Sequence, residues 1–346
     1  MIGPARWIRS HGPEIALVAA SLAASVGAAE LAGRWLHAQE TGLPFFHAAE
    51  ERFYPSLYLG TRDQAKGTRI LLLGGSVLQR IPTSVWRPVE NDWRLHNVSF
   101  KAHTTLDSLY KLESLLRAGQ RYDFVVLYHG INEVRTNNVP PELFAADYSH
   151  YAFYRMAHAL FRDRASLGSL LARHSDIGYR LALAYHTRSG QEDLLPPDNP
   201  PKAWKPYGAD IKSKESFRRN LIRISERVRE SGARLIVPRF AYAAATNYSI
   251  AAWRQRSLGF SCATRGDPTH IWGIPEHVPL GIDAHNQVID EERDRFVLVD
   301  THAMQGNVDD FCDICHFSER GMREFVKLVL DATKRPERAH SARGGL

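Results

Sequence analysis

The pattern of apolar and polar positions is organised around one run, Arg69-Ile70-Leu71-Leu72-Leu73-Gly74-Gly75-Ser76-Val77-Leu78. Four consecutive large apolar residues, bounded by a Lys-Gly turn and a Gly-Gly pair, predict a strand buried on both faces. Residues 96–100 predict a second short strand, ending in a polar loop at 101–105. Leu106, Leu109, Leu112, Leu115 and Leu116 then recur at three and four, as on an amphipathic helix. Residues 123–128 predict a third strand, running into His129-Gly130-Ile131-Asn132-Glu133. A helix follows with Phe217, Leu221, Ile224 and Val228 on one face, stopped by Gly232, and residues 235–238 form the next strand. A long loop at 241–292 precedes a last strand at 296–300, and a closing helix covers 319–332. This alternation predicts an α/β fold with a parallel sheet covered on both faces.

Two stretches depart from that rhythm. Residues 137–207 hold a helical segment rich in Tyr, His and Arg, then Pro196-Pro197-Asp198-Asn199-Pro200-Pro201. They read as an insertion over the strand ends, a lid or substrate wall. At the amino end, residues 15–29 form an unbroken apolar and small-residue run preceded by Arg6 and Arg9, continuing past Glu30 to Leu36. It reads as an uncleaved single-pass anchor with its amino end inside, because positive charge precedes it. Val26-Gly27-Ala28 keeps a cleaved signal open as one alternative, and a soluble helix is the other. Anchor or signal places the remainder outside the cytoplasm, membrane-anchored or secreted. The expected division is an anchor at 1–39, a lead-in at 40–67, a catalytic domain at 68–335 interrupted at 137–207, and a flexible tail at 336–346.

Composition narrows the picture slightly. With 44% hydrophobic and 24% charged residues among 346, the chain buries a full core. The formal charge of +6 is scattered, with no basic stripe carrying spaced aromatics, so nucleic acid is not an expected partner. Anionic lipid or acidic polysaccharide stays open. Cys312 and Cys315 form a C-x-x-C without a second ligand pair, which argues against structural zinc. The plainest reading of the cysteines is small residues packed around a site. A disulfide of Cys262 with one of the pair is the alternative, confined to an oxidising compartment.

Ester hydrolysis by serine needs a hydroxyl, a base, an orienter for that base, and donors aimed at the oxyanion. In open α/β sheets ligands bind outside the carboxyl ends of the strands. Ser76 stands just past such an end. Asp313-x-x-His316 supplies a carboxylate and an imidazole from one short segment, and Asn132 follows another strand. Singly, each has a structural reading as turn, cap or buried polar residue. Together, at the carboxyl ends of strands, they point to a nucleophilic site.

The arrangement resembles the SGNH/GDSL hydrolase family over roughly residues 68–135 and 214–332. Leu72-Leu73-Gly74-Gly75-Ser76 looks like its first block, with Gly75 where the family usually has Asp. Gly130-Ile131-Asn132-Glu133 is similar to its Gly-x-Asn-Asp block, and Asp313-Ile314-Cys315-His316 to its Asp-x-x-His block. The resemblance implies a flavodoxin-like three-layer sandwich, a Ser76–His316–Asp313 triad, and neither metal nor cofactor. It also implies an oxyanion hole from the Ser76 and Ala102 backbone N–H groups and the Asn132 amide. Ala102 stands where the family has glycine, and alanine suits that place if the backbone avoids positive φ. The expected activity is hydrolysis of an acyl ester, above all O-acetyl, on a cell-surface carbohydrate or a lipid. Acyl transfer through the same acyl-enzyme, and a silent polysaccharide-binding or assembly protein, are the alternatives.

Overall fold

The computed structural model describes residues 4–58, 67–86, 93–188, 201–243, 249–262 and 272–334. In chain order the elements are α1 (Pro4–Thr41), α2 (Ala49–Phe53), β1 (Thr68–Gly74), α3 (Ser76–Gln79), α4 (Thr83–Trp86), β2 (Trp93–Asn97), α5 (Thr105–Arg117) and β3 (Phe124–Tyr128). There follow α6 (Ala152–Phe161), α7 (Leu167–His174), α8 (Asp176–Arg188), α9 (Lys214–Glu230), β4 (Arg234–Pro238), α10 (Ile250–Arg254), α11 (Val278–Glu291), β5 (Val297–Val299) and α12 (Glu319–Thr333). They form two units, one of residues 67–154 and 201–334, the other of residues 4–58 and 155–188.

The first unit is built on a five-stranded sheet, all parallel, in the order β2-β1-β3-β4-β5. Parallel pairing obliges each connection to cross over a face of the sheet. α5 packs on α9 and α9 on α11, while α12 packs on α4, β4 and β5, so both faces are covered. This is the flavodoxin-like strand order, and the α/β three-layer architecture is the one expected. Ile70, Leu71, Leu72 and Leu73 are fully buried, as a strand with neighbours on both edges and helices on both faces must be. The core continues through Val126, Ile236, Ile282, Phe317 and Phe325.

Two element boundaries differ from expectation. β2 lies at Trp93–Asn97, earlier than residues 96–100. Val98 and Phe100 still donate to the Leu72 and Gly74 carbonyls, at 3.1 Å each, so the chain keeps alongside β1 after the regular strand ends. The stretch read as a loop at 241–292 contains the fourteen-residue helix α11, whose Val278, Ile282, His285, Val288 and Ile289 are buried on one side. It supplies part of the crossover that parallel pairing of β4 with β5 demands. Most of the Pro-rich run at 196–201 and the tail at 336–346 lie outside the described residues.

The second unit is helical. Within α1, Pro13–Thr41 is long and apolar enough to cross a membrane, and its apolar window is wholly unburied. Towards its carboxyl end α1 carries Glu30, which accepts from Ser175 Oγ (2.9 Å), the Asp176 N–H (2.7 Å) and the Ile177 N–H (3.0 Å). Glu30 thereby satisfies free donors at the start of α8. Arg34 bonds Glu30 at 2.7 Å and the His174 carbonyl, at the end of α7, at 2.9 Å. Arg52 pairs with Asp176 and lies over the Tyr179 ring at 4.0 Å. Residues 155–188, read from sequence as part of one insertion, thus pack with the N-terminal helix, whereas residues 137–154 belong to the sheet unit.

Candidate active site

In a sheet of this order, the crevice beside β1 and β3 lies where successive connections leave towards opposite faces. β1 ends at Gly74 and the chain turns at Gly75 into α3, whose first residue is Ser76. β3 ends at Tyr128 and delivers Gly130, Asn132 and Glu133. The segment after β5 brings Asp313 and His316, closed on itself by an antiparallel bridge between Phe311 and Phe317.

The structure brings Ser76, His316 and Asp313 into one hydrogen-bonded chain. Ser76 Oγ lies 2.8 Å from His316 Nε2, and His316 Nδ1 lies 2.6 Å from Asp313 Oδ2. The other carboxylate oxygen accepts from the His316 and Cys315 backbone N–H groups at 2.8 and 2.9 Å. Burial alone would raise the Asp313 carboxyl. The His316 side chain and these two N–H groups outweigh it and hold the group below the ordinary carboxylate range. An ionised Asp313 fixes the imidazole proton on Nδ1 and leaves Nε2 free to accept from the serine. Asp313 and His316 are each 8% exposed and Ser76 is half-buried, so the hydroxyl remains reachable.

Asn132 is buried beside this chain. Its Nδ2 donates to the His103 carbonyl at 2.7 Å and approaches Gly75 so closely that a Cβ there would overlap it. In this structure Gly75 makes room for the amide. Trp272 Nε1 faces Asn132 Oδ1 at 3.4 Å and helps to set which way the amide points.

Ala102 has φ of +62°, so the loop does require the left-handed region that alanine was expected to avoid. That conformation costs a residue with a Cβ about 1–2 kcal/mol. Arg135 Nη2 donates to the Ala102 carbonyl at 2.7 Å, and both residues are buried. Among the described residues no hydrogen bond uses the Ala102 N–H. Glu133 Oε1 accepts the Thr105 N–H at 2.5 Å, tying the strand-end loop to the first turn of α5. Burial pushes the Glu133 carboxyl up to about 7 despite that bond, and its Oε2 has no partner among the described residues. From α11, His285 bonds the Gly130 carbonyl and Ser213 Oγ at 2.7 and 2.8 Å, with burial lowering its pKa to about 4.

Asp313, Cys315 and His316 offer three donor atoms within 4.8 Å of one another. Both ring nitrogens of His316 are engaged with Asp313 and Ser76, and burial raises the Cys315 thiol well above its ordinary value. The imidazole is thus committed to Ser76 and Asp313, and Cys315 is held as a protonated thiol. Cys312 is joined to Cys262 in a disulfide closing 50 residues, so the packed-thiol reading fails for these two and holds for buried Cys315. A loop of that size contributes about 4 kcal/mol on chain-entropy grounds, beside Asp313.

No family model matches the chain, and no curated protein matches it in sequence. Similar solved structures are GDSL-like lipases, acylhydrolases and acetylxylan esterases. One, a GDSL-like lipase from Bacteroides thetaiotaomicron, is 11% identical, with 82% of this chain and 96% of that chain covered and a TM-score of 0.40. A putative acylhydrolase from Bacteroides fragilis is 11% identical, covers 82% and 94%, and has a TM-score of 0.40. An acetylxylan esterase from Geobacillus stearothermophilus is also 11% identical, covers 79% and 96%, and has a TM-score of 0.37. These likenesses are distant, and the functional reading rests on the site geometry.

Sequence reasoning reached Ser76, Ala102, Asn132, Asp313 and His316. It did not reach Trp272, Arg135 or His285. Arg135 stands three residues after Asn132, a spacing that carries no signal until the loop after β2 is known to lie against it. Trp272 and His285 come from the region read as loop.

Proposed function

We propose that the chain is a serine esterase of SGNH type. The observation that carries this reading is the continuous Ser76 Oγ–His316 Nε2, His316 Nδ1–Asp313 chain at 2.8 and 2.6 Å, with the Asn132 amide beside it. His316 takes the Ser76 proton as Oγ attacks an acyl carbonyl, then gives it to the leaving alcohol. Asp313 holds the imidazole in the required tautomer and stabilises the imidazolium. The oxyanion is met by the Ser76 and Ala102 N–H groups and by Asn132 Nδ2. Water then releases the acyl group by the reverse sequence.

The substrate is an acyl ester, O-acetyl above all, carried by a cell-surface carbohydrate or next by a lipid. α1 anchors the enzyme with its amino end inside, and the catalytic unit works outside the cytoplasm. Arg6 and Arg9 ahead of the apolar run and the Cys262–Cys312 disulfide support that placement. The test is product analysis with an O-acetylated oligosaccharide, with and without a second sugar as acceptor. Free acetate in proportion to deacetylated sugar is expected. Acetyl recovered on the acceptor would replace hydrolysis by transfer, and no deacetylation by folded protein would overturn the reading.

A further inference from the structure

The helical unit carries large apolar side chains on its outside that its own packing leaves uncovered. On α7, Leu167 (73% exposed), Leu170 and Leu171 recur at three and four. On α8, Leu181 and Tyr185 (69% exposed) are four apart, and Phe46, in the segment before α2, is also exposed. Each set lies on one stripe of its helix. Patches of this kind mark an interaction surface.

What covers the face follows from where α1 meets it. α1 contacts the α7–α8 turn through Glu30, Gly33 and Arg34, where Gly33 lies so close to Asp176 that a Cβ would overlap it. Residues 15–34 of a helix rise about 30 Å, the thickness of the bilayer hydrocarbon. A helix crossing from residue 15 therefore reaches the polar boundary near Arg34, with Glu30 about 6 Å beneath it, and the α7–α8 turn is fastened at these two residues. Trp35 and Leu36, both exposed, follow at that level, as anchoring aromatic and apolar residues do. Residues 155–188 also hold six arginines against two aspartates and no lysine or glutamate; Arg164 and Arg173 pair with Glu50, and the others leave an excess of positive charge suited to anionic headgroups. Arg180 is half exposed beside Leu181, and His174 is exposed at the end of α7.

We propose that α7 and α8 lie in the headgroup region of the bilayer that α1 crosses, with Leu167, Leu170, Leu171, Leu181 and Tyr185 seated in the lipid. The inference rests on the reading of α1 as a membrane anchor. α1 alone would leave the chain free to swivel on one helix. A second, flat-lying contact clamped to α1 through Glu30, Arg34 and Asp176 fixes the unit against the membrane plane.

The full chain, reconstituted in phosphatidylcholine–phosphatidylglycerol vesicles, tests this. Leu22→Cys, Leu171→Cys, Leu181→Cys and Arg229→Cys are each labelled with an environment-sensitive fluorophore. Lipids carry a nitroxide either near the headgroup or at the bilayer centre. Labels at 171 and 181 are expected to be quenched more by the shallow nitroxide, matching a depth of about 5–10 Å below the surface. The label at 22 should be quenched more by the deep one, and the α9 control at 229 by neither. Quenching at 22 without quenching at 171 and 181 would overturn the interfacial hairpin and leave the anchor standing. Blue-shifted but unquenched emission at 171 and 181 would mean a protein partner covers the face, and would overturn it too. No quenching at 22 would overturn the anchor and the hairpin together.

Discussion

Around Ser76, buried polar side chains hold backbone. Arg135 holds the Ala102 carbonyl, Glu133 the Thr105 N–H, His285 the Gly130 carbonyl and Asp313 two N–H groups. In the helical unit, Glu30 and Arg34 do the same for the ends of α7 and α8, but large apolar side chains face outward there. Each region is stabilised for a different task. The strand ends are fixed internally, as suits a site proposed to meet developing charge with few groups moving. The helical unit is fastened at the α7–α8 turn and through α2, by Arg52 and Glu50, and leaves large apolar side chains exposed on α7 and α8.

The largest break in that comparison comes from Asn132→Ala. Removing one oxyanion donor costs about 100- to 1000-fold in kcat, and here the loop at His103 also loses a bond. Steady-state kinetics on a soluble acetyl ester should show the loss in kcat with KM nearly unchanged.

A smaller break is Arg135→Ala, which frees the Ala102 carbonyl and lets the loop relax from φ of +62°. The strain involved, about 1–2 kcal/mol, corresponds to roughly a tenfold loss in kcat. Adding Ala102→Gly should recover much of it, because glycine adopts that φ without a Cβ penalty. If the double variant is no faster than Arg135→Ala, Arg135 acts by some means other than holding this backbone.

A third break concerns stability rather than rate, and is read against pH. Glu133 ionises near its ordinary 4.5 when unfolded and at about 7 when folded. Between those values the folded state holds the extra proton, so its contribution is greatest below pH 4.5, falls as pH rises to about 7, and is level above. Denaturant midpoints should decline across that window in the wild type and decline less in Glu133→Gln. Equal slopes would show that Glu133 ionises alike in both states.

Much of the sheet was legible because burial on both faces leaves a plain mark, as in Ile70-Leu71-Leu72-Leu73. The three residues joined in the hydrogen-bonded chain were legible because Asp313 and His316 are three apart in one segment and Ser76 immediately follows a strand. β2 was misplaced because Trp93 and Arg94 are only half-buried at the sheet edge, so their positions carry little apolar signal. α11 was overlooked although its buried positions recur at four, three and four. Its polar residues and Gly281 hid a helix that β4–β5 pairing required. Arg135 and Trp272 were not legible at all, since their importance lies in partners 33 and 140 residues away. The fastening of residues 155–188 to α1 rests on Glu30, which by sequence reads only as a charge interrupting an apolar run.

The central claim is that Ser76 is activated by His316 held on Asp313. Its most direct test is fluorophosphonate labelling of the reconstituted full chain, followed by peptide mass analysis, in wild type, Ser76→Ala and His316→Ala. The account predicts one phosphonylated residue, Ser76, in the wild type, with no adduct in Ser76→Ala and strongly slowed labelling in His316→Ala. A folded wild-type protein that is not labelled, or an adduct that persists in Ser76→Ala, would contradict it.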